Sequence, residues 1–344
     1  MAVTIKDIAR KAGVSRTTVS RVLNDSGYVK DETRQKVLKV IKELNYTPSA
    51  IARSLSTNKT NTIGVIVPEI NNPFFGEIIK GVSQVADEHD LNIILCNTDD
   101  NREKELKALK LLKEQRIQGI IITPTYAEDQ FNSEYLSTLE NLGIPVILLD
   151  GHVKYTDFSG IFIDHVKGAY DATKALIEAG HKKIAIINGR KNYKITIDRL
   201  KGYKKALDEY NIAIKDKYIS YGDFEYKSAY KATKQILKMD DRPTAVFVTS
   251  NMMILGSIRA FYEENINIPQ DMAIIGFDKI DAINIIGMNI SFVIGPSIEM
   301  GKAGMKMLID NLDNKKSREE IKRITLFPEL VLKGSEKFIG NKCE

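Results

Sequence analysis

The side chains best suited to specific chemical contacts in this sequence lie close together near its start. They are Ser15, Arg16, Thr17, Thr18, Ser20 and Arg21. An arginine can donate two hydrogen bonds to the edge of a guanine, and a threonine can contact a base edge, a thymine methyl group or a phosphate. These residue types therefore predict contacts with the groove and backbone of DNA rather than a chemical reaction.

The sequence around these residues predicts two short helices joined by a tight turn. The first begins at residue 5, and its apolar residues recur at 3–4-residue spacing. They are Ile5, Ile8, Ala9 and Ala12. Gly13 permits the backbone conformation that ends this helix. Ser15 occupies the N-cap position of the second helix, where its hydroxyl can accept a hydrogen bond from a free backbone N–H.

The second helix has the pattern of a recognition helix. Such a helix leaves its first turn free of core contacts, because those side chains must reach the major groove. Here Val14, Val19 and Val22 can pack inward, and a third helix over residues 31–44 can close a small core. We predict a helix-turn-helix DNA-binding head over residues 1–47. The alternative interpretation is a solvated helical pair in an ordinary helical domain.

The distribution of charge favours DNA binding. The net charge of the 344 residues is only +5. Residues 1–60, however, contain twelve Lys and Arg against five Asp and Glu, whereas the remaining residues contain 38 against 40. The positive excess therefore belongs to the predicted head, as expected for a segment that meets phosphates.

Several classes of protein are not favoured by the sequence. We find no signal-peptide pattern and no apolar run of about 18 residues, so we expect a cytoplasmic protein without a membrane partner. Cys96 and Cys343 form no disulfide framework or zinc spacing. The four histidines are far apart, and no nucleophile elbow or phosphate-binding glycine loop occurs. We therefore predict no catalysis, no metal and no cofactor.

A linker follows the head over residues 48–60. Pro48 interrupts the chain, residues 49–56 are compatible with a short helix, and a polar run follows. Leu55 is the one large apolar residue here without an obvious core to join. Local packing, or packing on a partner subunit, is the alternative to a specific role for Leu55.

From residue 61 onwards, short apolar runs alternate with amphipathic helices. The predicted strands cover residues 63–67, 92–96, 119–123, 145–149, 184–188, 218–221, 245–248 and 273–276. Strands that alternate with helices of 10–15 residues indicate parallel sheets. The two series predict an α/β body of two lobes with a crevice between them, in which ligands bind beyond the carboxyl ends of the strands.

The motifs of the chain resemble the LacI family of bacterial transcription repressors over nearly its whole length. They are TIKDIARKAGVSRTTVSRVLN, TRQKVLKVIKELNYTPSAIARSL, TNTIGVIVPEINNPFF, GHKKIAIING, RLKGYKKAL, PTAVFVTSN and IPQDMAIIGFD. The resemblance implies a periplasmic-binding-protein-like body over residues 61–344. Its first lobe would comprise residues 61–163 and 292–325, and its second lobe residues 164–291 and 326–344.

The resemblance also implies roles in DNA binding. A homodimer would place two heads in successive major grooves of near-palindromic double-stranded operator DNA. Arg16, Thr17 and Arg21 fall on base-reading positions, which leaves Ser15, Thr18 and Ser20 for the DNA backbone. The segment 49–56 resembles a hinge helix in the minor groove, in which Leu55 wedges a base step apart. Its other expected contact residues are Ser49, Ala52 and Arg53.

For the body, the resemblance implies a small-molecule effector, such as a sugar or sugar phosphate, between the lobes. The positions that match effector-binding residues are Phe74, Phe75, Thr125, Tyr193, Asn251 and Asp278. Asn251 stands where many sugar-binding members have Asp, and Tyr193 stands where an arginine is usual. Phe74 and Phe75 could instead pack at a helix start, and Asn251 could be an N-cap. Arg199 matches a family arginine that could equally be structural.

The resemblance leaves a second mode of control open. Some members are switched by a phosphorylated carrier protein that docks near the helix at residues 297–311. Ile298 replaces a tyrosine of those members, and Lys306 replaces an arginine. Because lysine lacks the two-pronged geometry of arginine, this mode is the alternative to a small-molecule effector. A transport-type binding protein is less favoured, since it would need a secretion signal and no basic head.

Overall fold

The computed structural model describes residues 3–46, 60–125, 130–313 and 320–337. The chain divides into two compact units, residues 1–61 and residues 62–344. The predicted hinge contacts Ser49, Ala52, Arg53 and Leu55 lie outside the described residues. Within the described ranges, no helix is both long enough and apolar enough to cross a membrane.

The head consists of three helices around a small core. They are Ile5–Ala12 (α1), Arg16–Leu23 (α2) and Asp31–Glu43 (α3). Gly13 has a φ of +64°, which is the left-handed conformation that ends α1. One side of each helix is buried by the apolar residues Ile8, Ala9, Ala12, Val19, Val22, Val37 and Val40. The apolar residues of α1 and α2 that the sequence predicts to face inward therefore pack in the core of the head.

The body alternates strands with helices, as the sequence predicts. Its strands are Thr62–Val67 (β1), Asn92–Asn97 (β2), Ile120–Ile122 (β3), Val146–Leu149 (β4), Gly160–Ile163 (β5), Ile184–Asn188 (β6), Ile219–Tyr221 (β7), Ala245–Val248 (β8), Ala273–Phe277 (β9), Ser291–Ile294 (β10), Arg323–Leu326 (β11) and Glu329–Val331 (β12). Its α-helices are Pro73–Glu88 (α4), Arg102–Glu114 (α5), Gln130–Asn141 (α6), His165–Glu178 (α7), Lys194–Glu209 (α8), Tyr226–Leu237 (α9), Asn251–Glu263 (α10), Asp281–Ile285 (α11) and Ser297–Asp313 (α12). A short 3₁₀ turn covers Asp216–Tyr218.

Two six-stranded sheets form the centres of the two lobes. The strand order is β11-β5-β4-β3-β1-β2 in the first sheet and β12-β10-β9-β8-β6-β7 in the second. All pairings between the described strands are parallel except that of β10 with β12. Helices cover both faces of such sheets, so their central strands are apolar on both sides. The α/β fold class predicted from the sequence is confirmed.

The chain crosses between the lobes at three places. It passes from β5 to α7, from β10 to α12, and from β11 to β12. The sequence-based boundary at about residue 292 lies too early, because Phe292 and Val293 pair with β9 inside the second sheet. The return to the first lobe therefore follows Ile294. Strands β5 and β10 to β12 have only three or four residues each, and sequence periodicity did not predict them.

Glycines allow α4 and α12 to approach closely in the first lobe. A Cβ atom at Gly81 would lie 2.1 Å from the carbonyl oxygen of Ile298, and one at Gly301 would lie 2.1 Å from that of Ile78. Real Cβ atoms do not approach oxygen so closely. The contact between the two helices therefore depends on residues without side chains at these positions.

We expect Gly81→Ala to lower the free energy of unfolding of the body by about 1–3 kcal/mol, because the added methyl group forces α4 away from α12. Gly76→Ala is a matched control in the same helix, since a Cβ atom at Gly76 would meet nothing within 4 Å. That control should gain up to about 1 kcal/mol from higher helix propensity. Urea unfolding measures both, and equal stability of the two variants would contradict the close helix contact.

Candidate nucleic-acid interface and ligand crevice

The first turn of α2 presents its polar residues outward. Arg16, Thr17 and Arg21 are exposed, while Val19 and Val22 are buried on the opposite side of the helix. The amphipathic pattern of α2 explains this arrangement, because the two valines must join the head core. The three residues predicted to read bases therefore lie together on one accessible surface of α2.

Hydroxyl groups fix the start of this helix. The Ser15 hydroxyl accepts a hydrogen bond from the backbone N–H of Thr18 at 3.0 Å and lies 2.9 Å from the Thr18 hydroxyl. Ser15 is therefore the N-cap that the sequence predicts. The Ser20 hydroxyl accepts a bond from Asn24 at 3.3 Å. The contact between the two hydroxyls uses the O–H of either Ser15 or Thr18. The other O–H and that of Ser20 can donate to a phosphate.

Three other cations of the head, Arg10, Lys11 and Arg34, are paired with acids. Arg10 lies 2.9 Å from Asp7, and Lys11 lies 3.0 Å from Glu43. Such exposed pairs contribute little to stability, but they reduce the local positive charge. The ion pairs found among the described residues do not involve Arg16 or Arg21. The exposed guanidinium groups of Arg16 and Arg21 are therefore accessible to an anionic partner.

A cavity of about 350 Å³ lies between the two lobes of the body. Its lining residues follow the carboxyl ends of strands β3 and β4 in the first lobe and β6 and β7 in the second. They are Thr125, Gly151, His152, Arg190, Lys191, Asn192, Tyr193, Lys194, Ile195 and Asp223. The crevice predicted from the alternation of strands and helices lies at this edge of the sheets.

Carboxylates occur at the ends of several strands that face the crevice. Asp100, Asp150, Asp223 and Asp278 have φ values of +52°, +46°, +52° and +65°. Aspartate tolerates this left-handed conformation better than most residues, because its short side chain can bond locally. Of these four, Asp223 lines the cavity, so a ligand hydroxyl there could donate to it.

An ion pair between Asp100 and Arg190 joins the two lobes beside the cavity. The Tyr193 hydroxyl donates to the Asp100 carboxylate at 3.0 Å, and Arg190 donates to the Tyr193 oxygen at 3.2 Å. Burial raises the pKa of Asp100, and the positive charge of Arg190 opposes this rise. Burial also raises the pKa of Tyr193, so its hydroxyl remains a donor at neutral pH. We call these three residues the lobe clasp.

Two further contacts join the lobes. Asn251 is buried at the start of α10 and donates to the Asn72 side chain at 2.7 Å. Asn72 also caps α4 by accepting from the backbone N–H of Phe74 at 3.0 Å. Lys279 of the second lobe lies 3.4 Å from Glu77 of the first. Closure of the lobes thus fixes polar groups at several points along the crevice.

A chain of buried polar groups passes behind the cavity. His165 lies 2.9 Å from Asp150 across the crossover, and Arg199 donates from Nε to His165 Nδ1 at 3.3 Å. The proton of this imidazole therefore lies on Nε2 and is donated to Asp150. Arg199 also stacks on the Phe277 ring and lies 3.8 Å from the Asp278 carboxylate. The chain links the first lobe to the end of β9.

The six predicted effector contacts do not lie together on the cavity surface. Thr125 and Tyr193 line it. Phe74 and Phe75 form an edge-to-face pair at 5.2 Å and pack against the core of the first lobe. Asn251 makes the interlobe bond described above, and Ser250 rather than Asn251 caps α10. Asp278 lies deeper than the cavity lining, beside Arg199.

Sequence reasoning missed Asp100, Arg190, His152 and Lys194. Asp100 and Arg190 are 90 residues apart, so no local pattern relates them. Both residues follow the carboxyl end of a strand, β2 or β6, in loops where a ligand is expected. This position is the feature of the sequence from which they could have been proposed. Among the described residues, no cluster of three or more His, Cys, Asp or Glu is placed to hold a metal ion.

Comparison with known families agrees with both units. The family described as periplasmic binding proteins and sugar binding domain of LacI family matches residues 60–328, and the bacterial regulatory proteins, lacI family, match residues 4–49. The chain belongs to the LacI family. Membership of this family makes it a DNA-binding transcriptional regulator, and the resemblance inferred from the sequence motifs is confirmed.

Three similar proteins illustrate this membership. Catabolite control protein A of Priestia megaterium is 38% identical over 90% of this chain and 92% of its own length. A lac repressor dimer bound to operator and the anti-inducer ONPF has a TM-score of 0.84 at 26% identity, covering 98% of this chain and 100% of that one. A complex of the transcriptional regulator CelR with cellobiose has a TM-score of 0.72 at 28% identity, covering 97% and 99%.

The stability of the body should depend on the ionisation of Asp278. Burial raises the pKa of Asp278 from its ordinary value of 3.8 to about 6, and the charge of Arg199 opposes this rise. Between these values the folded protein keeps a proton that the unfolded chain has released. The contribution of Asp278 to the free energy of unfolding is therefore fully present below about pH 4 and is lost as the pH rises to about 6.

We expect the difference in free energy of unfolding between the wild-type protein and Asp278→Asn to change by about 1–3 kcal/mol across this range, with the wild-type curve falling relative to the variant. Asp281→Asn is the matched control, since the Asp281 side chain is 74% exposed on the following helix. Urea unfolding at a series of pH values measures both differences. Parallel curves for wild type and Asp278→Asn would contradict the buried-carboxyl interpretation.

Proposed function

We propose that the chain acts in the cytoplasm as a homodimeric repressor of genes for carbohydrate or related metabolism. In this proposal it binds a near-palindromic operator, and a small molecule in the crevice switches its affinity for DNA. The observation that carries the proposal is the cavity between the lobes, bordered by the lobe clasp of Asp100, Arg190 and Tyr193. A ligand there would contact both lobes together.

The DNA contacts follow from the exposed surface of α2. Arg16, Thr17 and Arg21 would read base edges, while Ser15, Thr18 and Ser20 would contact the DNA backbone. A homodimer suits a near-palindromic operator because two identical heads require two equivalent half-sites. The similar lac repressor structure is a dimer bound to operator, which supports this arrangement. The hinge contacts expected of Ser49, Ala52, Arg53 and Leu55 remain part of the proposal.

The lining of the cavity suits a polyhydroxylated ring. Arg190, Lys191 and Asn192 can donate to ring hydroxyls, Asp223 can accept from them, and Tyr193 offers an aromatic side chain. The similar CelR structure is a cellobiose complex, which supports a sugar as the class of effector. We propose Thr125 and Tyr193 as direct contacts. Phe74, Phe75, Asn251 and Asp278 are proposed as contacts of a more open lobe arrangement.

The effector can switch DNA binding only if it binds one arrangement of the lobes more tightly than another. The closed arrangement orders the lobe clasp and the Asn251–Asn72 bond. A ligand that bonds to Thr125 in the first lobe and Tyr193 in the second would favour closure. The linker between the two units would convey this change to the heads, and such coupling free energies are typically about 1–3 kcal/mol.

Control by a phosphorylated carrier protein is the second candidate. The similarity to catabolite control protein A supports it, and α12 presents an exposed Lys306 and a half-buried Lys302. A phosphate could pair with either amine, although lysine forms a less directional contact than arginine. Addition of a phosphorylated carrier protein to an operator titration distinguishes this candidate, because it should change operator affinity without any sugar.

Arg16→Ala should weaken binding to the preferred operator by about 1–3 kcal/mol and relax base preference at one position of each half-site, because it removes a bidentate contact. Arg10→Ala is the matched control: Arg10 is exposed on α1, outside the recognition helix. That control should change affinity equally for all sequences. Selection from randomised duplexes followed by titration at fixed salt measures both effects, and an unchanged base preference in Arg16→Ala would refute the assignment.

A further inference from the structure

A second cavity of about 230 Å³ adjoins the first at the lobe crossover. The two cavities share the lining residues Gly151, His152, Lys194 and Ile195. Small-molecule sites in proteins usually measure about 300–1,000 Å³, so the second cavity alone is smaller than a typical site. It is therefore better understood as an extension of the first cavity, with Lys194 at the junction.

The extension is built from residues of both lobes. Besides the shared residues, its lining consists of Asp150, Phe162, Ile163, Asp164, His165, Val166, Asp198, Arg323 and Thr325. Alternate residues of β11, Arg323 and Thr325, face the cavity from its outer side, as the period of a strand requires. The extension therefore adds β5, β11 and the start of α7 to the elements that border the first cavity.

Arg323 occupies a defined place in this extension. Its guanidinium group lies 4.4 Å from the centre of the Phe162 ring and donates to His152 Nδ1 at 3.0 Å. Burial lowers the pKa of His152, and the charge of Arg323 lowers it further. His152 is consequently a neutral imidazole that accepts from Arg323 at neutral pH. Arg323 also pairs with Asp157 at 3.4 Å. A guanidinium group carries more N–H donors than these two contacts use, so donors remain for a ligand at the cavity wall.

The balance of charge in the extension disfavours an anion. Its lining contains the carboxylates of Asp150, Asp164 and Asp198 against the cations Lys194 and Arg323. Asp164 accepts from the backbone N–H of Lys167 at 2.8 Å, and Asp198 pairs with Lys194. A phosphate would meet more acidic than basic groups there. Hydroxyl groups, which donate and accept, can bond to both kinds of side chain.

We propose that the extension is a subsite for the second ring of an uncharged disaccharide whose first ring occupies the larger cavity. Arg323 is the residue that distinguishes such a ligand from a monosaccharide, because it lines the extension and not the larger cavity. Thr325 borders the same space from the next inward position of β11. This inference rests on the proposed function, since it specifies the effector of the same crevice.

Isothermal titration calorimetry on the full chain tests the subsite with glucose, cellobiose, maltose, lactose and glucose 6-phosphate. One of the disaccharides should bind at least about ten times more tightly than glucose. Arg323→Ala should remove most of that difference and leave the affinity for glucose unchanged. Lys322→Ala is the matched control, because Lys322 adjoins Arg323 and lines neither cavity. It should leave both affinities unchanged.

A second variant guards against a change in folding. Thr325→Leu places a larger apolar side chain at the border of the extension and should weaken the disaccharide without weakening glucose. Equal loss of glucose and disaccharide in both variants, or no loss in either, would overturn the subsite. Tighter binding of glucose 6-phosphate than of every disaccharide would also overturn it, since the proposal requires an uncharged ligand.

The same titrations separate this inference from the proposed function. If glucose binds and changes operator affinity while Arg323→Ala leaves every disaccharide unaffected, the subsite is wrong and the effector-controlled repressor stands. If no sugar binds to a chain that still binds operator DNA, both the subsite and the sugar effector are wrong. DNA-binding regulation itself would remain in that case.

Discussion

The ion pair between Asp100 and Arg190 is the interaction on which the closed crevice depends. Both groups are largely removed from water, with side-chain exposures of 23% and 30%. Removing one partner from a pair in such surroundings is costly, because the other charge loses water and partner together. Separation of the lobes would break this pair and return the Asp100 carboxylate and the Arg190 guanidinium to water. The pair therefore stabilises the lobe arrangement in which the two groups meet.

The buried chain from Asp150 through His165 and Arg199 to Asp278 imposes a second constraint. Each member bonds to or pairs with the next, so a shift of one buried group changes the contacts of its neighbours. Asp150 ends a strand of the first lobe and Asp278 ends a strand of the second. A ligand that displaces Asp150 or Asp278 would therefore change side-chain contacts in the other lobe as well. This arrangement suits a regulator, whose function requires coupling rather than a rigid scaffold.

Local patterns were sufficient to predict much of the fold. The runs of β1 and β6 are mostly apolar because both faces of a parallel sheet are buried. Ser15 caps α2 because of its place before an amphipathic run. Strands β11 and β12 were not predicted because they are short and contain no fully buried residue, and pairing with distant strands defines them. Contacts between distant residues also limit what the sequence predicts about the site. Tyr193 could be proposed from a motif, whereas the importance of Arg190 depends on its ion pair with Asp100 in the other lobe.

The most direct test of the central claim is the operator affinity of the full chain with and without a bound sugar. Fluorescence anisotropy with a labelled operator, at fixed salt, should show a change in Kd of at least about five-fold on saturation with the tightest-binding sugar among glucose, cellobiose, maltose and lactose. Asp100→Asn should reduce this change, because it weakens the lobe clasp. An unchanged operator Kd in the presence of a sugar that calorimetry shows to be bound would contradict the account.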